Sequence, residues 1–318
     1  MRKVLITGGY GLLGVSLVKL LLKKKFKVVI LDYKKSNKKK FFFNNDRNLI
    51  IEHGNFINFK NLTKVFKKHK FNGVFHLGAQ TQVLKAYNDP FHTHQTNVLG
   101  TLNLLEILRI KKLNIPLVYS SSDKAYGELK KKYYFENDKL NGTYPYDASK
   151  SASDLICQSY SKTYDIKIGI IRSANIFGEC DFNVERIVPE TILSALTKKK
   201  LKIRTSGKQR RDYIYVDDVS NAYYRVFIEL KKKQKKLLVY NTGSKYNLTA
   251  LQLIKKIYKI LGIKENYIIM NTSKAEIHNQ RLNFNKIKKE IGWEPKFSLE
   301  LGLKKTVSWY KKNIKLFS

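Results

Sequence analysis

Short apolar runs alternate with amphipathic stretches through the first half of the chain, and this alternation constrains the fold more than any other feature. The apolar runs span residues 3–7, 27–31, 73–77 and 116–121, and the amphipathic stretches span residues 15–23, 62–69 and 96–108. Hydrophobic residues are continuous within each apolar run, which is typical of parallel strands covered on both faces. The pattern predicts an α/β fold with a doubly wound parallel (Rossmann) sheet.

The second half of the chain is less regular. A helix over residues 146–160 and a strand over 166–172 continue the α/β pattern. Further on, the pattern predicts helices over 186–196, 249–261 and 299–313, a turn followed by a helix over 212–230, and a strand over 237–241. Residues 41–45 are the most loop-like early stretch. We expect a Rossmann domain at residues 1–178 and a smaller C-terminal lobe at 179–318, some segments of which return to the sheet.

Composition limits the partners that we expect. The chain of 318 residues has a net charge of +37, but its lysines occur in short scattered runs rather than along one stripe with interleaved aromatics, so we expect no specific nucleic acid. No apolar run reaches the roughly 18 residues that span a membrane. Neither an export signal nor a metal-ligand spacing around Cys157 and Cys180 is visible. These features favour a cytoplasmic protein with no membrane partner and no metal.

A glycine-rich loop follows the first apolar run and opens the first amphipathic stretch. Its glycines are Gly8, Gly11 and Gly14, a spacing that allows a tight turn and close approach of the backbone to a pyrophosphate. Asp32 ends the next apolar run, 18 residues after Gly14, where a carboxylate accepts hydrogen bonds from a ribose 2′-hydroxyl. The loop and the aspartate together predict NAD rather than NADP. The neighbouring Lys34 and Lys35 leave a 2′-phosphate as the alternative.

A tyrosine and a lysine four residues apart lie in the predicted helix 146–160. Tyr146 and Lys150 are therefore neighbours on one helical face, where the ammonium can lower the pKa of the phenol and prepare it to act as a base. An isolated pair of this kind is more often a surface contact. Here Ser122 closes the preceding strand, at the end where parallel sheets bind their ligands, and its hydroxyl can orient a reacting oxygen.

These motifs together resemble the extended short-chain dehydrogenase/reductase family of sugar-nucleotide epimerases and dehydratases, over nearly the whole chain. Further matches lie at residues 76–79 (His-Leu-Gly-Ala), 97–101, 172–178, 211–218 (Arg-Asp-Tyr-Ile-Tyr-Val-Asp-Asp) and 292–295. The resemblance implies an NAD-dependent enzyme that acts on a nucleotide sugar. It also implies a homodimer formed through two helices per subunit, for which residues 97–108 and 146–160 are the candidates.

The resemblance also implies which residues bind the two ligands. For the cofactor these are Gly8, Gly11, Leu12, Gly14, Asp32, Asn55, Phe56, Leu77, Ala79, Gln80, Asn97, Tyr146 and Lys150. For the substrate, bound mainly by the C-terminal lobe, they are Gln80, Ser122, Asn175, Arg186, Arg211 and Arg281. Two positions depart from the family pattern, since Asn55 replaces the usual Asp and Gly78 replaces the usual Ala. We expect both departures to be tolerated.

The residues after Ser122 distinguish the chemistries within the family. Asp123 and Lys124 occupy the place where sugar 4,6-dehydratases usually carry an Asp-Glu pair, and the Asp-Lys form resembles CDP-glucose 4,6-dehydratase. In that interpretation Ser122, Tyr146 and Lys150 serve oxidation at C4, Asp123 protonates the leaving C6 hydroxyl, and Lys124 removes the C5 proton. The product would be a 4-keto-6-deoxy sugar nucleotide.

Other interpretations stay open at this stage. Asp123 and Lys124 form only a structural ion pair if the chain is a C4 epimerase resembling UDP-glucose 4-epimerase. A catalytically silent dinucleotide-binding scaffold and an RNA-associated protein are alternatives of another class, although the intact Ser122, Tyr146 and Lys150 argue against silence. The nucleotide base is also open, because residues 211–218 follow the general family pattern and residues 179–183 favour no base.

Overall fold

The large sheet of this protein is parallel and has seven strands. The computed structural model describes residues 2–33, 42–43, 46–232, 236–272 and 277–317. The strand order is β10-β6-β5-β4-β1-β2-β3. In chain order these strands are β1 (Lys3–Thr7), β2 (Lys27–Asp32), β3 (Leu49–His53), β4 (Val74–His76), β5 (Leu117–Ser122), β6 (Ile168–Ser173) and β10 (Leu237–Thr242). The predicted doubly wound parallel sheet is confirmed.

Helices cover both faces of this sheet, and a hydrophobic cluster fills the space on each side. The helices of the sheet domain are α1 (Leu12–Lys23), α2 (Phe59–Lys68), α3 (Val83–Asn88), α4 (Pro90–His94), α5 (Gly100–Ile110), α6 (Pro145–Tyr164) and α8 (Val216–Lys232). A π-helical turn, Gln95–Leu99, joins α4 to α5. Strands β4, β5 and β6 are almost entirely buried, which explains their continuous apolar sequence.

The smaller lobe is built from short strands and four helices. Its strands are β7 (Asn175–Phe177), β8 (Leu201–Ile203), β9 (Arg210–Tyr215), β11 (Asn247–Thr249), β12 (Tyr267–Ile269) and β13 (Asn279–Gln280). Its helices are α7 (Ile187–Leu196), α9 (Ala250–Leu261), α10 (Asn285–Ile291) and α11 (Leu299–Lys312). Strand β10 and helix α8 return to the large sheet, and Ser16 Oγ on α1 lies within hydrogen-bond distance of Asp217 Oδ1 and Ser220 Oγ of α8, at 2.8 and 3.0 Å.

One prediction of secondary structure is wrong, and one strand of the large sheet was not predicted. Asp212 does not lie in a turn, because strand β9 continues through it and helix α8 starts only at Val216. Strand β3 was not predicted because its apolar run is only three residues long, and most of the strand is half-buried. Of the loop predicted at residues 41–45, only Phe42 and Phe43 are described, and both rings are buried near Tyr10.

In the described part of the chain, none of the helices is both long and apolar enough to cross a membrane. Nor do any three of its His, Cys, Asp or Glu side chains come together in a way that could hold a metal ion.

Candidate active site

The predicted site residues converge at the carboxyl ends of the parallel strands. Thr7 ends β1, His76 ends β4 and Ser122 ends β5, and these three strands are neighbours in the sheet. The chain order reverses between β1 and β4, since the strands on one side continue as β2 and β3 and those on the other as β5 and β6. Open parallel sheets bind their ligands at such a switch point.

The glycine-rich loop packs too closely for side chains at two positions. Gly8 has φ of +72°, and a Cβ there would lie 2.7 Å from the backbone nitrogen of Gly78. A Cβ on Gly14 would lie 2.2 Å from the Gly8 carbonyl oxygen. Gly11 is the N-cap of α1, so the helix N-terminus opens without a capping side chain. This arrangement fits a pyrophosphate, because backbone N–H groups and the positive helix end face the loop.

Asp32 lies at the carboxyl end of β2, close enough to Tyr10 to raise the pKa of that phenol, although burial is the larger cause. The position suits a ribose hydroxyl, as the sequence predicts. Lys34 and Lys35, which carry the alternative of a 2′-phosphate, lie outside the described residues. The Asn55 side chain accepts a hydrogen bond from the Ile57 nitrogen at 3.0 Å, so it shapes the turn after β3.

Phe56 explains the departure at Gly78. Its ring is buried and covers both Gly78 and Gly100, where a Cβ would lie 2.6 and 2.4 Å from ring carbons. The ring also lies 5.3 Å from the ring of His76. An alanine at position 78 would therefore collide with the Phe56 ring.

A buried chain of side-chain contacts fixes the ends of β1 and β4. The ring of His76 lies between two hydroxyls, with 2.7 Å from Thr7 Oγ1 to Nδ1 and 3.1 Å from Thr101 Oγ1 to Nε2. Burial lowers the pKa of His76 to about 3, with a smaller contribution from Lys150, so the ring is neutral. Thr7 also accepts a hydrogen bond from the Gly78 nitrogen at 3.1 Å. This chain holds the Leu77–Ala79 turn beside the glycine-rich loop.

Asn97 and Gln80 are both predicted cofactor contacts, and the side chain of Asn97 binds the backbone of Gln80. The Asn97 side chain accepts from the Gln80 nitrogen at 2.8 Å, and its amide donates to the Gln80 carbonyl at 3.0 Å and to Ser149 Oγ at 2.9 Å. The Gln80 amide donates to Thr93 Oγ1 at 3.2 Å. Asn97 thereby ties the turn after β4 to helix α6. The π-helical turn at Gln95–Leu99 presents Asn97 in this position.

Lys150 and Tyr146 are both buried on α6, one helical turn apart. Lys150 Nζ donates to the Ser120 carbonyl at 2.8 Å and lies 5.3 Å from the centre of the Tyr119 ring. Burial lowers the pKa of Lys150 to about 8. The Lys150 ammonium thus binds the carboxyl end of β5. The sequence instead predicts that it lowers the pKa of Tyr146.

Burial raises the pKa of the Tyr146 phenol, and the hydrogen bond with Ser122 acts in the opposite direction. The negative charges of Asp123 and Asp147 raise this pKa further, and the positive charge of Arg186 lowers it by a smaller amount, so the structure brings a predicted substrate residue close to the predicted base. A buried phenol needs such positive charge nearby to give up its proton at neutral pH. The sequence predicts Arg186 as a substrate contact but not its effect on the pKa of Tyr146.

The Asp-Lys pair lies on a 3₁₀ turn, Asp123–Tyr126, directly after β5. Ser122 Oγ donates to Asp123 Oδ1 at 3.0 Å and accepts from the Lys124 nitrogen at 3.2 Å. Asp123 is only 4% exposed, and burial raises its pKa, while Lys124, Ser122 and Arg211 act in the opposite direction. A carboxyl group with a raised pKa is what a general acid requires.

Four predicted substrate residues come from the smaller lobe. Arg211, on β9, is buried and lies near Asp123. Arg186 pairs with Asp181 at 3.0 Å and donates to the Ile176 carbonyl at 2.6 Å. Asn175 begins β7.

Among these four residues, Arg281 has the best-supported role in binding an anion. Its guanidinium lies 4.7 Å from the centre of the Tyr133 ring, and its buried Nε finds no acceptor among the described residues. A buried donor without a partner is costly, and a phosphate oxygen would relieve that cost.

The sequence pattern missed two buried residues that lie close to Asp123, the predicted general acid. Gln280 is buried and donates from Nε2 to the Asp123 carbonyl at 3.2 Å. Asp212 accepts from the Leu282 nitrogen at 2.9 Å and from Asn247 Nδ2 at 3.0 Å. Burial raises its pKa to about 7, with a smaller contribution from Asp123. Only the Arg-Asp-Tyr motif gave a signal for Asp212, and nothing in the sequence marked Gln280.

Comparison with known proteins identifies the family of this chain. The family model described as GDP-mannose 4,6 dehydratase matches residues 5–306. A dTDP-glucose 4,6-dehydratase of Haemophilus influenzae is 29% identical over 98% of this chain and 98% of its own length. A human dTDP-D-glucose 4,6-dehydratase is 28% identical over 98% of this chain and 91% of its own.

Solved structures of both chemistries superpose on the chain. The dTDP-glucose 4,6-dehydratase of Bacillus anthracis in complex with NAD has a TM-score of 0.86 and 29% identity, covering 99% of this chain and 98% of that one. The UDP-glucose 4-epimerase of Thermotoga maritima with UDP-glucose has a TM-score of 0.90 and 28% identity, covering 98% and 100%. Because the family model spans nearly the whole chain, this protein belongs to the GDP-mannose 4,6 dehydratase family, within the extended short-chain dehydrogenases/reductases.

Proposed function

We propose that this protein is an NAD-dependent nucleotide-sugar 4,6-dehydratase that acts on glucose linked to a pyrimidine nucleoside diphosphate in the cytoplasm. The observation that carries the proposal is the Asp123–Lys124 turn, which places a buried carboxyl group beside Ser122 and Tyr146. The dehydratase relatives support the reaction type. The two buried free cysteines, Cys157 and Cys180, suit a reducing compartment.

The residues of the sheet edge fit the cofactor. Gly8, Gly11 and Gly14 would bind the pyrophosphate, Asp32 the adenosine ribose, and Lys150 the nicotinamide ribose. NAD, when bound, accepts a hydride from C4 of the sugar and returns it to C6. The protein provides the proton transfers around that exchange.

Tyr146 accepts the proton of the C4 hydroxyl, and Ser122 orients the same oxygen. The positive charge of Arg186 favours the tyrosinate during this transfer, and the protonated Lys150 would hold the nicotinamide ribose. Oxidation at C4 makes the proton on C5 acidic. Elimination across C5 and C6 becomes feasible only after this step.

Lys124 and Asp123 carry out the elimination. Lys124 removes the C5 proton, the bond between C6 and its oxygen breaks, and Asp123 protonates that oxygen so that it leaves as water. A double bond forms between C5 and C6. The lysine then returns its proton to C5 as C6 is reduced, which yields a 4-keto-6-deoxy sugar with the cofactor regenerated. Asp123 requires its proton at the start, in agreement with its raised pKa.

Two observations point to different bases for the substrate. The relatives are named for dTDP-glucose, whereas the Asp-Lys form resembles CDP-glucose 4,6-dehydratase. Both are pyrimidine nucleotides. Incubation with CDP-, dTDP-, UDP- and GDP-linked hexoses plus NAD, followed by mass spectrometry, tests the proposal. We expect loss of one water from CDP-glucose or dTDP-glucose and incorporation of solvent deuterium at C5.

C4 epimerisation is the second candidate function. The Thermotoga maritima epimerase superposes as well as the dehydratases, and Ser122, Tyr146 and Lys150 suffice for removal and return of a hydride at C4. A product of unchanged mass without deuterium at C5 would establish the epimerase and overturn the dehydratase.

We predict that oxidation at C4 declines in alkaline solution as Lys150 loses its proton. Because burial lowers the pKa of Lys150 to about 8, the ammonium is present below that pH and lost above it. The single-turnover rate of cofactor reduction should fall about tenfold between pH 7 and pH 9. The measurement uses Lys124→Met, in which elimination is blocked, so that titration of Lys124 does not contribute. A rate that stays constant over this range contradicts the assignment.

We propose that the protein forms a homodimer through α6 and the helices before it. Several large apolar side chains are exposed there, among them Leu84, Tyr87, Phe91, Leu99 and Leu155. Phe91 is 77% exposed and Tyr87 is 68% exposed, more than other large apolar residues of the described chain. Exposed apolar residues clustered on adjoining helices mark an interaction surface.

The dimer gives a prediction about molecular mass. The variant Phe91→Glu/Leu155→Glu should sediment as a monomer at concentrations where the natural chain is dimeric, because four charges would enter the interface. Leu301→Glu on α11, where the leucine is 48% exposed, is the matched control and should stay dimeric. If the double variant remains a dimer, the interface lies elsewhere.

A further inference from the structure

A cleft at the amino ends of the strands, opposite the candidate active site, is unexplained by the proposed function. Its volume is about 620 Å³. The cleft lies where β5, β6 and β10 begin and where α5, α6 and α8 end. Leu108 and Ile166 form buried apolar parts of its wall.

Positive side chains dominate the rim of this cleft. They are Arg109, Lys112, Lys167, Lys231, Lys232 and Lys236. Asp165 is the one carboxylate among the lining residues, and it pairs with Lys236 at 2.5 Å. Arg109 pairs with Glu106 at 2.7 Å. No carboxylate in the described ranges pairs with the other four lysines.

Lys231 and Lys167, two of the unpaired cations, are close enough to repel each other. Burial and the positive charges of Arg2 and Lys167 lower the pKa of Lys231. The ammonium of Lys231 lies 5.7 Å from the centre of the Phe227 ring. Like charges without counterions are destabilising, so an anion bound among them would relieve the repulsion.

The helix ends offset only part of this charge. Three helices end at the cleft, and each C-terminus contributes about half a negative charge, which favours cations there. Asp165 and Glu106 neutralise two of the six cations. The six cations still exceed the negative charge of the three helix ends and the two carboxylates taken together. Interaction with the helix ends therefore does not explain why all six cations gather at this cleft.

We propose that this cleft binds a small oligophosphate, either inorganic or the phosphate chain of a nucleotide. Several adjacent phosphates match an excess of more than two positive charges, and the cleft volume lies within the range of about 300–1,000 Å³ that is usual for small-ligand sites. The cations surround one concavity rather than follow a stripe across the surface, which favours a compact anion over a nucleic-acid strand.

Titration of the whole protein with inorganic tripolyphosphate tests the proposal, with calorimetry and thermal unfolding as readouts. The variant Lys167→Glu/Lys231→Glu should bind at least about tenfold more weakly than the natural chain. The control Lys64→Glu/Lys67→Glu makes the same change of charge at exposed lysines of α2 and should bind within about twofold of the natural chain. Equal losses in both variants would reduce the effect to net charge and overturn the proposal.

Two further measurements sharpen the outcome. If ATP and tripolyphosphate bind with similar affinity, the site recognises the phosphate chain. If ATP binds more tightly than tripolyphosphate, the ligand is a nucleotide. Binding of adenosine alone overturns the proposal. Single-stranded RNA that binds more tightly than tripolyphosphate and is lost in the cleft variant also overturns it. If the double glutamate variant does not fold, Lys167→Gln/Lys231→Gln replaces it, with an expected weakening of at least about threefold. Dehydration should be unchanged in these variants, which separates failure of this site from failure of the proposed function.

Discussion

Replacing Lys124 by methionine should reduce formation of the 4-keto-6-deoxy product by about 10²–10⁴-fold, the usual contribution of a general base. Oxidation at C4 should continue, because Ser122, Tyr146 and Lys150 are unchanged. Reduced cofactor should therefore accumulate on the enzyme, visible as absorbance in the near ultraviolet. Mass spectrometry of the product gives the dehydration rate, and solvent deuterium in the recovered substrate reports on the C5 proton.

Two variants control for indirect effects of the Lys124 substitution. Lys130→Met removes an exposed lysine six residues further along and should leave the rate unchanged. Lys124→Glu restores the Asp-Glu pair that is usual in sugar 4,6-dehydratases, so it should retain more activity than Lys124→Met. Dehydration by Lys124→Met at more than about a tenth of the natural rate would show that another group removes the C5 proton.

Asp123 and Lys124 also show what the sequence could and could not predict about the site. Residue types and motif spacing were enough to place Ser122, Asp123, Lys124, Tyr146 and Lys150 at one strand end, because strand ends of a parallel sheet meet at one edge. Contacts between distant segments were not predictable. Nothing in the spacing shows that Lys150 binds the Ser120 carbonyl.

The same distinction applies to the fold. The strands of the large sheet were predicted where both faces are buried, since their apolar runs are continuous. Strand β9 was missed at Asp212 because its hydrogen-bonded partners are β7, β11 and β13, which come from segments far apart in the sequence. Short strands of this kind depend on tertiary pairing more than on local pattern.

The Asp154–Arg172 pair is such a long-range contact, and it stands directly behind the catalytic helix. Arg172 Nε and Nη2 each donate to Asp154 at 2.9 Å, and the two side chains are 2% and 0% exposed. Ser121 Oγ donates to the same carboxylate at 2.6 Å. Asp154 follows Lys150 by one turn of α6, so the pair joins that helix to β5 and β6.

Replacing Arg172 by methionine should lower the free energy of unfolding by about 3–5 kcal/mol, because Asp154 would be left as a buried charge without its counterion. Urea unfolding of the purified chain measures the loss. The double variant Asp154→Leu/Arg172→Met removes both charges and should recover much of the stability, since no isolated charge remains. A double variant as unstable as the sum of the two single variants would mean that the ions do not stabilise each other. The loss of Arg172 should also reduce catalysis at temperatures where the variant is folded. Ser121 on β5 and Lys150 on α6 both lie near the Asp154 carboxylate, so a change at this carboxylate reaches the strand and the helix that carry the site.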